Sequence, residues 1–212
     1  KKILSKRPKR LRDFVVSISS GATPKTTESD LYYTDKENGI PFLRVQNLSS
    51  TGVLEFEDCK YINKETHQGY LKRSQVFSND LLIKITGVGR MAVSSVAPEN
   101  FEGNINQHIV VIKTNDRQTS ETIAAFLNSD IGEKLASRRS TGGTRPALDY
   151  PALLSIPIIY DKRILEITSR VVEQKKQNDA EAEKLLASID DYLLKELGIT
   201  LPPPPDNSLK NR

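Results

Sequence analysis

The sequence contains few of the residues that build disulfides, metal centres and membrane spans. Its 212 residues include one cysteine, Cys59, two histidines and no tryptophan. A single cysteine excludes an internal disulfide and a cysteine-built zinc site, and it favours a reducing, intracellular setting, so we expect a cytoplasmic protein. No run of about 18 apolar residues occurs, which argues against a membrane-spanning helix and a membrane partner.

The usual motifs of enzyme active sites are also missing. His67 and His108 are far apart in the sequence and lack the spacing of paired metal ligands. Gly87-Val-Gly89 lacks the third glycine of a dinucleotide-binding loop, and we expect it to be a turn between two strands. We therefore expect a non-catalytic chain without a metal or a cofactor. The competing hypothesis is a nuclease or methyltransferase domain with an unfamiliar site.

Charge is distributed unevenly along the chain. Residues 1–13 hold seven basic side chains and one acidic one, whereas the other 199 residues hold 24 basic and 26 acidic side chains. Residues 1–12 are predicted to be a basic arm or linker, which is either solvated or contacts phosphates. The chain starts with lysine and its only methionine is Met91, so we expect a piece of a longer protein.

Short apolar runs bounded by glycine, asparagine, aspartate and proline predict a strand-rich domain over residues 13–158. The expected strands are Phe42–Val45, Gly52–Phe56, Tyr61–Ile62, Leu81–Thr86, Met91–Val96, Ile109–Lys113 and Ser155–Ile159. Between Glu121 and Ser137 apolar residues recur every three or four positions, which predicts one or two helices. The expected fold class is α/β (α+β).

A long helix is predicted within residues 159–198. From Asp161 to Leu197 there is neither glycine nor proline, and strong helix formers are plentiful. A narrow seam of apolar residues at helical spacing favours a projecting helix that pairs as a coiled coil, rather than one packed along its own domain. The residues expected on this seam are Ile164, Ile167, Val171, Leu185, Ile189 and Leu193. Gly198 is expected to end the helix, and residues 199–212 form a proline-rich tail.

Several short motifs in order suggest a known family. They are Gly21-Ala-Thr-Pro24, Gly39-Ile-Pro-Phe-Leu-Arg-Val-Gln-Asn-Leu48, Asn79-Asp-Leu-Leu-Ile-Lys-Ile-Thr-Gly-Val-Gly-Arg90, Asn104-Ile-Asn-Gln-His-Ile109 and Ser140-Thr-Gly-Gly-Thr-Arg145, followed by Leu153-Leu-Ser-Ile-Pro157 and the long helix. Over residues 11–200 this order resembles one target-recognition domain plus one spacer helix of a type I restriction–modification specificity (S) subunit.

The resemblance implies a protein that recognises one half of a bipartite double-stranded DNA target. It also implies methyltransferase (modification) subunits and a restriction/translocase subunit as partners. A full subunit of that family holds two recognition domains and two helices, whereas this chain holds one of each. We therefore expect the helix to pair with a second spacer helix, from the same parent chain or from a homodimer partner.

Two alternatives remain open for the function of the chain. Similar recognition domains are fused to methyltransferase–nuclease chains in some type II enzymes, and the basic arm would suit a linker from such a fusion. The other alternative is a coiled-coil protein–protein adaptor without a DNA role.

The side chains expected to contact DNA are amides, hydroxyls, an imidazole and cations near predicted loops. Arginine suits guanine and the amides suit adenine in the major groove, while small residues let the backbone approach phosphates. Cations at a helix end also complement the helix dipole, which is the alternative explanation for those near residue 138. Alternation with Ile83 and Ile85 places Lys84 outside the core. The expected contact residues are Thr23, Lys25, Arg44, Gln46, Asn47, Lys84, Arg90, Asn106, Gln107, His108, Arg138, Arg139, Thr144 and Arg145.

Overall fold

The computed structural model describes residues 8–25, 27 and 29–198, so residues 1–7 of the expected arm and the whole expected tail lie outside the described residues. The fold is mixed α/β, with two sheets and a long C-terminal helix, as predicted. The strands are β1 (Ser17–Ser20), β2 (Tyr33–Thr34), β3 (Ile40–Leu43), β4 (Lys60–Ile62), β5 (Gln75–Phe77), β6 (Leu81–Lys84), β7 (Ser94–Val96), β8 (Glu102–Ile105) and β9 (Ile109–Lys113). The helices are α1 (Ser29–Tyr32), α2 (Lys64–Gln68), α3 (Arg117–Asn128), α4 (Asp130–Ser137), α5 (Tyr150–Leu154) and α6 (Lys162–Leu197).

The first sheet has the strand order β1-β9-β6-β7, and all of its pairings are antiparallel. Successive side chains of a strand point to opposite faces, so the register decides which residues share a face. Ile83 lies opposite Val110, and both belong to a core that includes Phe126 of α3. Leu82 lies opposite Val111, and both face the second sheet.

The second sheet has the order β2-β4-β3-β8-β5, and only its β3–β8 pairing is parallel among the described strands. Leu43 of β3 and Ile105 of β8 pack in one core cluster with Leu82 and Val111 of the first sheet. The first sheet is therefore covered on one face by helices and on the other by the second sheet.

The prediction that Lys84 points outward is wrong. Lys84 is only 5% exposed, and all four residues of β6 are buried. Alternation predicts a solvent-facing residue only where one face of a sheet meets water, but β6 is an interior strand covered on both faces. Its Nζ donates a hydrogen bond to the carbonyl oxygen of Val88, 2.7 Å away.

Two further predicted strands are wrong. Residues 52–56 and 155–159 form only isolated bridges, between Leu48 and Leu54 and between Arg10 and Pro157. The strand predicted from Met91 starts only at Ser94. Ala92 has φ of 54°, a value that a regular strand does not accommodate.

The helices between residues 121 and 137 are confirmed as α3 and α4. Ser129 separates them because its hydroxyl accepts a hydrogen bond from the backbone N–H of Gly132 at 3.1 Å, which caps the second helix. The long helix is confirmed as α6. It is followed by Gly198, whose φ is 66° and whose N–H donates to the Lys195 carbonyl at 3.2 Å, the left-handed end that glycine favours.

The chain divides into two compact units between Ser169 and Arg170. In the first unit Ile164 packs against the core that contains Phe126, and Leu11 is fully buried in the same core. In the second unit the apolar side chains of Leu185, Ile189 and Leu193 are exposed. Across the described part of the chain, no helix combines the length and apolarity needed to cross a membrane.

Candidate nucleic-acid interface

Four segments that are distant in sequence meet beyond the end of β6. The backbone N–H of Gly21 donates to the carbonyl of Ile109 at 3.2 Å, and the N–H of Ile85 donates to the carbonyl of His108 at 2.9 Å. The N–H of Gly87 donates to the carbonyl of Pro146 at 3.1 Å. Main-chain bonds therefore fix these loops relative to one another. The residues at this meeting point form a loop cluster, which consists of Thr23, Thr86–Val88, Gln107, His108 and Arg145.

A chain of polar side chains connects three of these loops. The hydroxyl of Thr23 donates to Oε1 of Gln107, Nε2 of Gln107 lies 3.4 Å from Nε2 of His108, and Nδ1 of His108 lies 3.3 Å from the hydroxyl of Thr86. Gln107 is exposed and the other three are half-buried. These linked side chains offer both hydrogen-bond donors and acceptors at the protein surface, and the edge of a base requires both.

A cleft of about 210 Å³ adjoins this polar chain. It is lined by Val45, Lys84, Thr86, Gly87, Val88, His108 and Arg145. Three of the sequence-predicted contact residues, Lys84, His108 and Arg145, therefore come together here. Burial lowers the pKa of the Lys84 ammonium from its ordinary value, because a charged group is destabilised away from water.

Arg145 lies on a closed loop. Thr141 and Ala147 exchange two backbone hydrogen bonds of 2.9 and 2.8 Å, and Gly142 between them has φ of 96°, which favours glycine. Thr144 and Arg145 are exposed at its tip. The loop therefore presents a guanidinium group from a backbone held at both ends.

Gly21 is required by the close approach of two loops. A Cβ atom at this position would overlap the carbonyl oxygens of Ile105 and Asn106. The segment carrying Thr23 can reach Gln107 only because residue 21 has no side chain.

Three of the predicted contact arginines are engaged inside the fold. Arg90 donates to the carbonyl of Asn128 and lies 3.2 Å from Asp130, so it joins the turn after β6 to the junction of α3 and α4. Arg139 donates from Nε to the hydroxyl of Ser155 at 3.0 Å and from Nη1 to the carbonyl of Leu135 at 2.8 Å.

Arg44, the third of these arginines, donates to the carbonyl of Asp58. When the amide of Gln46 is rotated by half a turn, its oxygen accepts from both terminal nitrogens of Arg44 at 2.9 Å. Lys25 and Arg138, in contrast, are exposed.

Two of the predicted contact amides also shape turns. Asn47 is 1% exposed, and its amide accepts from the Arg44 N–H and donates to the Glu55 carbonyl, both at 2.9 Å. Asn106 is also buried and accepts from the backbone N–H of His108 at 3.1 Å. Both amides therefore stabilise the loops beside the cleft.

A polar network joins α2 to β8, and no local sequence pattern predicts it. Nδ1 of His67 lies 2.5 Å from Oδ1 of Asn104, and Nε2 of His67 lies 2.9 Å from Oε1 of Glu102. Asn104 also donates to the carbonyl of Leu71 at 2.9 Å. Despite these groups, residues 8–25, 27 and 29–198 contain no cluster of three or more histidine, cysteine, aspartate or glutamate side chains arranged to hold a metal ion.

Val88 is a cleft residue that the sequence analysis did not single out. It is 75% exposed, more than any other large apolar side chain in the described part of the chain. The available signal was a branched apolar residue between two glycines in an otherwise polar loop.

Comparisons with known proteins identify similar chains. The family model for the type I restriction modification DNA specificity domain matches residues 6–184. The crystal structure of the S subunit of a type I restriction-modification system from M. genitalium matches with a TM-score of 0.52 at 14% identity, covering 89% of this chain and 44% of that one. The type IIG restriction endonuclease BpuSI matches with a TM-score of 0.60 at 10% identity, covering 78% of this chain and 26% of that one. A search of curated proteins found no match.

Proposed function

Since this chain belongs to the family of type I restriction modification DNA specificity domains, we propose that it binds double-stranded DNA sequence-specifically through the loop cluster. The observation that carries the proposal is that an exposed guanidinium, Arg145, and an imidazole, His108, from two separate loops line one cleft, beside the exposed amide of Gln107. Main-chain hydrogen bonds hold these loops in place, so the groups are ordered before DNA arrives.

Each exposed group in the cluster suits a particular feature of the major groove. The guanidinium of Arg145 matches the two acceptors of guanine, and the amide of Gln107 matches the donor and acceptor of adenine. Lys25 and Arg138, which are exposed, are available for phosphate oxygens, which position the protein without specifying sequence. Sequence preference should therefore depend on the cluster, and overall affinity on the flanking cations.

The wider arrangement follows from the family. In this proposal residues 13–158 recognise one half of a bipartite target, and the helix within residues 159–198 pairs with a second spacer helix. The exposure of Leu185, Ile189 and Leu193 supports pairing, because a helix with an uncovered apolar seam gains free energy when the seam is buried. Methyltransferase subunits and a restriction/translocase subunit would complete the assembly.

We propose further that the chain is not catalytic by itself. The likeness to BpuSI supports a recognition domain of the same fold in a fused enzyme as the second context, since 26% of that endonuclease is matched. Both contexts give this chain the same DNA-binding role. Incubation of the purified chain with plasmid DNA, Mg²⁺ and a methyl donor should produce neither cleavage nor methylation, and either product would overturn this part of the proposal.

Binding-site selection from a random duplex library tests the function itself. The wild-type chain should enrich a short sequence, and fluorescence anisotropy should show weaker binding to scrambled duplex. Arg145→Ala should reduce the preference for the enriched sequence about fivefold or more, because a bidentate arginine–guanine contact contributes about 1–3 kcal/mol.

The matched control for this test is Arg73→Ala, which removes an exposed arginine that lies apart from the cleft-lining residues. It should leave the preference unchanged. Failure of the wild-type chain to enrich any sequence would refute DNA recognition. Equal preference in Arg145→Ala and wild type would refute the role of Arg145.

A further inference from the structure

The tip of the loop after β6 presents one apolar side chain to solvent. Val88 is 75% exposed and lies between Gly87, with φ of 116°, and Gly89, with φ of 81°. Both glycines adopt backbone conformations that other residues rarely take. The tip therefore has a defined shape, and valine is the one residue in it with a side chain.

Two contacts brace this tip from below. Nζ of Lys84 donates to the carbonyl of Val88 at 2.7 Å, and the N–H of Gly87 donates to the carbonyl of Pro146 at 3.1 Å. Lys84 is 5% exposed, and burial lowers its pKa. A buried ammonium therefore holds the backbone of an exposed valine in place.

The residues around Val88 indicate which chemical group its side chain can contact. It lines the cleft together with Val45, while Thr86, His108 and Arg145 supply polar groups at the same place. A base edge in the major groove is polar except at thymine, whose C5-methyl group is an apolar mark that aliphatic side chains contact. A cleft that combines two valines with base-reading polar groups fits an edge carrying a methyl group.

We propose that Val88 recognises a thymine through its C5-methyl group, as a specificity-determining contact of the loop cluster. This inference rests on the proposed DNA-binding function. Lys84 acts as a positioning residue, because its Nζ donates to the carbonyl of Val88 and so fixes the backbone of the tip. This contact makes the protein require an A·T pair at one position of the target, in addition to the base pairs that Arg145 and Gln107 contact.

Deoxyuridine substitution measures this contact directly, since deoxyuridine differs from thymidine only by the missing methyl group. The duplex enriched by the wild-type chain is prepared in versions with each thymine replaced singly, and dissociation constants are measured by fluorescence anisotropy. At one position the replacement should weaken wild-type binding about fourfold, which corresponds to ~0.8 kcal/mol for one buried methyl-sized group.

The same series with Val88→Ala should show no loss at that position, because the partner of the methyl group has been removed. Val16→Ala is the matched control, since Val16 is another exposed valine (64% exposed) whose N–H donates to the carbonyl of Lys113, at the opposite end of β9 from His108. It should keep the fourfold loss. Both variants alter exposed side chains, so their urea unfolding midpoints should match the wild type.

The possible results separate this inference from the function beneath it. If the wild-type chain enriches no sequence, the proposed function fails and the inference fails with it. If the chain enriches a sequence but no thymine position responds to deoxyuridine, the function stands and the inference is overturned. A loss in Val88→Ala equal to that of the wild type overturns it too. Weaker binding of Val88→Ala to all duplexes, with no deoxyuridine effect in the wild type, would overturn the inference as well.

Discussion

Replacing Asn104 with alanine tests whether its buried hydrogen bonds stabilise the first unit of the chain. Asn104 is fully buried, donates to the carbonyl of Leu71 at 2.9 Å and to the hydroxyl of Ser74 at 3.3 Å, and accepts from Nδ1 of His67. An amide oxygen can only accept, so Nδ1 of His67 carries the hydrogen. In Asn104→Ala that N–H is left buried without a partner.

The expected loss can be worked out from these contacts. The hydrogen bonds to Ser74 and from His67 contribute about 1 kcal/mol each net, and the unsatisfied buried donor of His67 costs about 1–3 kcal/mol more. The free energy of unfolding should therefore fall by about 3–5 kcal/mol, a large part of the ~5–15 kcal/mol that stabilises an ordinary domain. The Leu71 carbonyl is less affected, because the hydroxyl of Ser74 also donates to it at 3.0 Å.

Urea unfolding followed by circular dichroism measures the change. With a denaturant slope of ~2–3 kcal/mol per molar, the midpoint of Asn104→Ala should fall by about 1–2.5 M. Gln107→Ala is the matched control from the same motif, because Gln107 is exposed and its loss should change stability by less than ~0.5 kcal/mol. A midpoint for Asn104→Ala within error of the wild type would refute the reasoning.

Three further changes test other parts of the molecule. Gly21→Ala should lower stability by about 1–3 kcal/mol in thermal melts, because its Cβ would overlap two carbonyl oxygens, whereas Gly143→Ala, where a Cβ meets nothing within 4 Å, should not. Burial raises the pKa of Asp80, so the folded state takes up a proton before the unfolded state does. As pH falls from neutral through that raised pKa toward the ordinary value of 3.8, the wild type should gain stability relative to Asp80→Asn, as measured by urea midpoints at pH 7 and pH 4. Sedimentation should show a wild-type dimer that Leu185→Asp combined with Ile189→Asp converts to monomer, and a wild-type monomer at high concentration would contradict homodimer pairing.

The elements that could be predicted from the sequence are those whose own residues show a clear period. Strand β9 begins with four consecutive apolar residues, Ile109–Ile112, and α6 contains many strong helix formers and neither glycine nor proline. Four of the strands, β1, β2, β5 and β8, were not predicted, and two of these, Ser17–Ser20 and Glu102–Ile105, are polar or contain glycine. They are strands because their neighbours pair with them, and such pairing is a long-range property that composition does not show.

The sequence predicts which types of residue lie in the candidate site, but not which of them contact other parts of the protein instead. Exposed loop residues such as Gln107 and Arg145 lie on the cluster, because loops that follow strands end at the surface. Arg44 and Arg90 were assigned to DNA from their charge, but they contact carbonyl groups 14 and 38 residues away in the sequence. The group that an arginine contacts depends on which distant residues the tertiary fold brings next to it. A local sequence pattern does not contain that information.

The backbone segments that open and close the first unit lie side by side. The N–H of Leu11 donates to the carbonyl of Ile156 at 2.9 Å, and the N–H of Ile158 donates to the carbonyl of Lys9 at 2.8 Å. The polypeptide therefore enters and leaves this unit at one place. A domain built in this way can be inserted into a longer polypeptide, or exchanged for another with different loops, without moving its neighbours apart. The hydrogen bonds between these two segments keep the entry and exit of the first unit adjacent.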